Sequence, residues 1–228
     1  MEIAKDHVKN TIDVKLYSAQ YKEDRVAVPA GFIMTPDLKE SVLDYGKFNI
    51  PRKLPILDDI IRRLHHYSNE DYLIYTNADI ALMPNFYQEV ARYIDDGHDA
   101  IEITRRTIPS TYSDVSQIKK MFKLKGKKHP GHDCFVFHAS LFQRMFELAK
   151  VCIGAPAVGK CMLLNLRCFA KKFIRVTDRH LTFHIGDDKI WNKYADYKEY
   201  NRSEYRKAHN RLLVRHAIPN RLLEWAEL

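Results

Sequence analysis

The chain has 228 residues, 46% of them hydrophobic and 29% charged, with a formal net charge of +8. That length and balance suit one large α/β domain with a substantial core, and they argue against long disorder. No run of about 18 apolar residues occurs, so no transmembrane helix is expected. The positive charge favours a polyanionic or phosphorylated partner without singling out nucleic acid.

Met1-Glu2-Ile3-Ala4-Lys5-Asp6 mixes both charges and lacks an apolar stretch, so no secretory signal is expected. Cys134, Cys152, Cys161 and Cys168 form no Cys-x-x-Cys pair and sit in apolar settings. Buried reduced thiols in a cytoplasmic protein are the expectation. Residues 2–9 suit a short helix. Ile12 to Tyr17 alternates apolar and polar residues as a strand does. Ser18 to Pro36 is expected to be mostly loop. Ile56, Leu57, Ile60, Ile61 and Leu64 form the apolar stripe of a helix running to about Tyr67. His65-His66 then reads as its solvated end.

Tyr72 to Thr76 is an aromatic and β-branched run with strand chemistry. It stops at Asn77-Ala78-Asp79, whose two polar side chains share one side of an extended segment. Pro84 then suits the first turn of a helix over Phe86 to Asp95, which the glycine of Asp96-Gly97-His98 ends. A strand delivering an acid to its carboxyl end marks the usual ligand side of an open α/β sheet. The bland alternative for Asp79 is a turn or cap residue.

Ala100 to Thr104 is the next predicted strand, opening onto Arg105-Arg106. These two arginines suit either a clamp on phosphate or sugar or a pair of surface ion pairs. Ser110 to His129 carries Lys119, Lys120, Lys123, Lys125, Lys127 and Lys128. A helical turn followed by a mobile loop is expected there, either a solvated face or a lid over phosphates. Pro130-Gly131-His132-Asp133 is a tight turn bearing an acid, directly before the apolar strand beginning Cys134-Phe135-Val136-Phe137.

Ser140 to Val151 has a helical pattern, with Leu141, Phe142, Met145, Phe146 and Leu148 inward. Lys160 to Phe169 is a helix too apolar to be exposed, and Phe173 to Val176 is a short strand. The glycines of 154–159 carry no phosphate-loop signature. Leu181 to Asp188 places His184 just before Gly186, with Asp187 and Asp188 following as further candidate ligands or a cap. From Trp191 the chain is basic and aromatic, with Tyr194, Tyr197, Tyr200 and Tyr205, and ends in a helix through Leu212, Leu213 and Val214.

Asn77/Asp79, Gly131-Asp133 and His184, each beside a strand and in this order, resemble the motifs of GT-A fold glycosyltransferases. Asn77 stands where that pattern has its first acid. The resemblance implies a Rossmann-like α/β fold, with a mixed, mostly parallel GT-A sheet flanked by helices. It also implies a catalytic domain over 1–190, with a helical C-terminal tail over 191–228 packed on it. In function it implies a metal-dependent transfer of sugar from a UDP- or GDP-sugar to an unidentified acceptor, an anionic one being a candidate. Asp79 and His184 would hold Mn²⁺ or Mg²⁺. Asn77 would contact the donor's ribose or sugar, and Arg105 or Arg106 would steady phosphate. Asp133, with His132 as the neighbour able to share the role, would act as general base. Closure of the sheet predicts that 12–17 pairs with 72–76, leaving 18–24 as a nucleoside wall. Asp133 is expected partly exposed and free of a salt bridge. A nucleotidyltransferase is one rival, although Ser18 to Asp24 has no glycine for its loop. A non-catalytic basic module for RNA or acidic glycans is another, which would need solvent-facing aromatics.

Overall fold

The computed structural model describes residues 1–112, 114–143, 147–187 and 193–215. In chain order the elements are α1 (Glu2–Val8), β1 (Leu16–Ser18), β2 (Phe32–Met34), α2 (Leu57–Tyr67), β3 (Tyr72–Thr76), β4 (Ala81–Leu82), α3 (Phe86–Asp95), β5 (Ala100–Ile103) and β6 (Arg106–Ile108). There follow α4 (Ile118–Met121), β7 (Lys127–Lys128), β8 (Cys134–His138), α5 (Ser140–Gln143), α6 (Val158–Phe169), β9 (Phe173–Val176), β10 (Thr182–Ile185) and α7 (Ala195–Arg215). The fold is mixed α/β, with helices flanking mixed sheets and a long C-terminal helix. Two compact units divide the chain: Met1–Val14, Ile74–Phe137 and Ala170–Lys189 form the first, and Lys15–Leu73, His138–Phe169 and Ile190–Leu228 the second. Among the described residues, no helix is long and apolar enough to cross a membrane.

The first unit is built on two four-stranded sheets, ordered β3-β8-β5-β9 and β4-β10-β6-β7. β5 lies between an antiparallel β8 and a parallel β9, and every residue from Ala100 to Ile103 is buried. In the other sheet β10 pairs antiparallel with β4 and parallel with β6, and β6 pairs antiparallel with β7. Beneath it Phe183, Ile108 and Met121 form a buried cluster, with Phe122 and Leu124 packed against it. α3 buries Phe86, Tyr87 and Val90, as its sequence spacing requires, and ends where Gly97 takes a φ of 85°.

The second unit holds the parallel pair β1–β2. Its core includes Val42, Ile56, Cys152 and Tyr197, and the Phe48 ring stacks on Tyr197 at 3.9 Å. The fully buried Asn201 ties α7 down, accepting from Cys152 N–H and donating to the Cys152 carbonyl, both at 2.9 Å. Tyr197 and Tyr205 are buried, so the basic tail does not present them as solvent-facing stacking platforms. His65 stacks on Phe142 at 4.5 Å and His66 is exposed. The four cysteines are free, three of them buried.

Three expectations change. β1 takes β2 as its partner, and the hydrogen-bonded neighbour of β3 is β8. The expected pairing of 12–17 with 72–76 therefore fails, and with it the geometric ground for a nucleoside wall at 18–24. Alternation could identify the strand but not its partner, because pairing is decided by contacts distant in sequence. The lysine-rich stretch also does not run on as a loop: it returns through Gly126 (φ 61°) into β7, which pairs with β6. A Cβ at Gly126 would stand 3.0 Å from the Thr107 carbonyl oxygen, so both the turn and the close approach require glycine. All six lysines are nevertheless exposed. Finally, the helix expected over 140–151 is no longer helical at 147. There Glu147 N–H donates to Asn165 Oδ1 at 2.6 Å, and Ala149 takes a φ of 49°. Met145, Phe146, Asp188 and Trp191 lie outside the described residues.

Candidate functional site

The functional candidates Asn77, Asp79, Arg105, Arg106, His132, Asp133 and His184 all belong to the first unit. β3 runs out at Thr76, and the chain turns as Ile80 N–H donates to the Asn77 carbonyl at 3.1 Å. It re-enters a sheet at β4, with Ala81 opposite Phe183 and Leu82 opposite Thr182 on β10. This return brings Asp79 to the residue after Phe183: Asp79 Oδ2 lies 3.2 Å from His184 Nε2. Asn77 is engaged locally, its Oδ1 accepting from the Tyr75 hydroxyl at 2.9 Å.

His184 Nδ1 lies 2.8 Å from the carbonyl oxygen of Gly186. A carbonyl only accepts, so Nδ1 carries the proton, and a neutral ring would present a bare lone pair to the Asp79 carboxylate. Two electron-rich atoms at 3.2 Å call for a positive charge between them, either a second ring proton or a bound cation. With the proton, the Asp79 partner raises the His184 pKa above its ordinary value, and the same bond lowers that of Asp79. With a cation, the carbonyl bond at Nδ1 is the orienting contact that metal-binding histidines usually have. Among the described residues no group of three or more His, Cys, Asp or Glu side chains gathers to hold an ion. The donor set thus fits a cation completed by phosphate oxygens and water, as Mg²⁺ commonly is, and not a closed protein cage.

The pair gives the ligand-free protein a defined pH response. The raised His184 contributes stability below about pH 6.5, lost as pH rises through its folded value, while the lowered Asp79 contributes above about pH 4, lost as pH falls through its own. The Asp79 side chain is 63% exposed, and such a screened pair contributes less than about 1 kcal/mol. Urea midpoints for wild type and His184→Gln should therefore differ most between about pH 4 and 6.5 and converge as pH rises past the raised His184 value. A constant gap across that range would dismiss the pairing.

The Gly131–Asp133 turn meets the end of β3 through Thr76 Oγ1, which donates to the Asp133 carbonyl at 3.0 Å. The Asp133 carboxylate, expected to be free of a salt bridge, is engaged in one. Arg105 Nε lies 2.9 Å from Asp133 Oδ2, with side-chain exposures of only 10% and 17%. The contact is close but lacks hydrogen-bond alignment. Arg105 is nine-tenths buried, and the nearest carboxylate becomes its counter-ion. Arg105 Nη2 also approaches His129 Nε2 at 2.9 Å, while Gly131 N–H donates to His129 Nδ1 at 2.9 Å. Burial, then the neighbouring Arg105, lowers the His129 pKa, so the ring is neutral at pH 7. Asp187 stands 3.8 Å from its Nε2.

The two arginines do not act as one clamp. Successive residues of extended chain face opposite ways. Arg106 turns to the Lys125 carbonyl at 3.2 Å, away from the partners of Arg105. Sequence reasoning singled out neither His129 nor Glu102. Glu102 is fully buried in β5 and bonded to His132 Nδ1 at 2.9 Å. An acid within an otherwise apolar strand was the available signal.

No family model matches this chain, and no curated protein sequence matches it. Among solved structures, S. aureus TarS residues 1–349 in complex with UDP-GlcNAc gives a TM-score of 0.45 at 10% identity, over 85% of this chain and 53% of that one. The same fragment in complex with UDP gives 0.39 at 7% identity, over 88% of this chain and 71% of that one. A third TarS 1–349 structure gives 0.38 at 9% identity, over 72% and 46%. The chain thus spans about half the length of the first of these structures.

Proposed function

We propose that this chain transfers a sugar from a nucleotide-diphosphate donor, a UDP- or GDP-sugar, to an acceptor hydroxyl, with a divalent cation at Asp79 and His184. The observation that carries the reading is the approach of those two side chains to 3.2 Å with His184 Nδ1 already bonded to a carbonyl. When bound, Mn²⁺ or Mg²⁺ supplies positive charge to the leaving diphosphate. Asp79 and His184 hold their donor atoms toward that charge. Arg105, kept in place by Asp133, adds a fixed positive charge beside them, and Asn77 lies at the mouth of the same turn for a contact with ribose or sugar. The acceptor hydroxyl is handled at the Gly131–Asp133 turn, which Thr76 fastens to the end of β3.

The test is calorimetric titration of the full chain with UDP- and GDP-sugars, with and without Mn²⁺. One nucleotide sugar is expected to bind at least tenfold more tightly with the metal, a difference of about 1.4 kcal/mol. Asp79→Asn should remove that metal dependence. Equal binding with and without metal, or no binding of any nucleotide sugar by this chain alone, would overturn the proposal.

A further inference from the structure

Glu102 is the least expected charge in the molecule. It occupies the middle of β5, opposite Phe135 on β8 and Arg175 on β9, and has no exposed surface. A carboxylate in such a place is tolerated only when paired. Arg175 Nε lies 2.6 Å from Oε2, a close ion pair without hydrogen-bond alignment, and His132 Nδ1 is hydrogen-bonded to Oε1 at 2.9 Å. Arg175 alone would supply a counter-charge, so neutralisation does not account for the histidine.

The contact does fix the ring. A carboxylate only accepts, so Nδ1 carries the proton and Nε2 keeps its lone pair. His132 is largely enclosed, with 15% of its side chain exposed, and its Nε2 has no hydrogen-bond partner among the described residues. Asp133, one residue on, has its carboxylate against Arg105. Of the two neighbours, His132 presents the unengaged basic atom.

We propose that Glu102 and His132 form a proton-accepting dyad, with Nε2 of His132 as the base and Glu102 as its positioning residue. This rests on the transferase reading for its substrate. In the step, the acceptor hydroxyl oxygen bonds to the anomeric carbon as that carbon's bond to the diphosphate breaks. The diphosphate leaves with the electron pair, and the hydroxyl proton ends on Nε2. The buried carboxylate stabilises the imidazolium that forms, and it keeps the ring in the tautomer that can accept.

The experiment uses ¹⁵N-histidine NMR on the full chain, with the His132 signals assigned by His132→Gln. The neutral wild-type ring should be protonated at Nδ1. In Glu102→Gln, the positive charge of Arg175 draws the amide oxygen to its side. The amide NH₂ is then left facing Nδ1, which must accept, and the proton moves to Nε2. Adding Arg175→Ala removes that charge and should restore the Nδ1–H tautomer. Carbethoxylation of His132 by diethylpyrocarbonate, followed by mass spectrometry, should slow in Glu102→Gln as the lone pair at Nε2 is lost. With a nucleotide-sugar substrate, kcat should fall about a hundredfold in Glu102→Gln while KM changes little. A wild-type ring protonated at Nε2, or an unchanged tautomer in Glu102→Gln, would overturn the dyad. A tautomer that moves while kcat stays level would overturn His132 as the base. Absence of nucleotide-sugar binding would instead sink the transferase reading, leaving the tautomer and carbethoxylation results to decide the dyad.

Discussion

Arg105→Ala is expected to cost the protein about 3 kcal/mol of stability, the lower end of the range for orphaning one member of a buried ion pair. Arg105 and Asp133 expose 10% and 17% of their side chains, so the carboxylate left behind regains little water. The loss is a large fraction of the roughly 5–15 kcal/mol that a domain usually holds. Asp133→Asn removes the opposite member and should also destabilise. The double variant should cost less than the sum of the singles by about 1–3 kcal/mol, because residues sharing one ion pair couple by that amount. Urea denaturation of the four proteins measures this directly. Additive losses would mean that the 2.9 Å contact contributes nothing and that Asp133 is available for other work.

Phe183→Ala is expected to cost about 3–5 kcal/mol, the usual range for emptying a fully buried aromatic site. Its ring has no exposed surface and packs in the cluster with Ile108 and Met121, with Phe122 edge-on at 6.1 Å. The loss should extend beyond stability, since Phe183 precedes His184 and faces Ala81, two residues after Asp79, across the ladder. Metal-dependent nucleotide-sugar binding should therefore weaken in Phe183→Ala even at temperatures where the variant is fully folded. A variant of undiminished stability in urea would show that the cluster does not support β10.

Much of this architecture was legible in the sequence. Tyr72–Thr76 is the strand that its aromatic and β-branched run predicts, and Phe173–Val176 likewise. α2 and α3 follow their apolar stripes, and Gly97 ends α3 as expected. These features depend on periodicity and local backbone preference, which a single sequence carries. The partner of β1 was not legible, because alternation says which face of a strand is apolar and nothing about its neighbour. β6 and β7 were also hidden: three and two residues of mostly basic and polar sequence become strands only because β10 and β6 offer them a ladder.

The candidate site divides in the same way. Asp79 and His184 stand out because each follows a strand signal, and the structure brings them together. The ion pair that occupies Asp133 and the carboxylate that holds His132 were not legible. Arg105 and Glu102 come to their partners from β5 and its end, about 30 residues away in sequence. For Glu102 the reason is physical: an acid between isoleucines suits the wet face of a half-exposed strand, but every residue of β5 is buried.

The two-residue strand β4 makes the separation of Asp79 from His184 a stepwise quantity. Antiparallel strands lock in whole residues: a slip of one moves the partner about 3.4 Å and turns its side chain to the opposite face. With Ala81 fixed against Phe183, the carboxylate is held by counting back two residues from that lock. Deleting Ile80 or inserting a residue beside it would leave every chemical group of the pair in the sequence, yet the two would no longer meet. No small adjustment of the backbone recovers a full residue. The spacing between the acid and its strand is therefore as much a part of the site as the carboxylate itself.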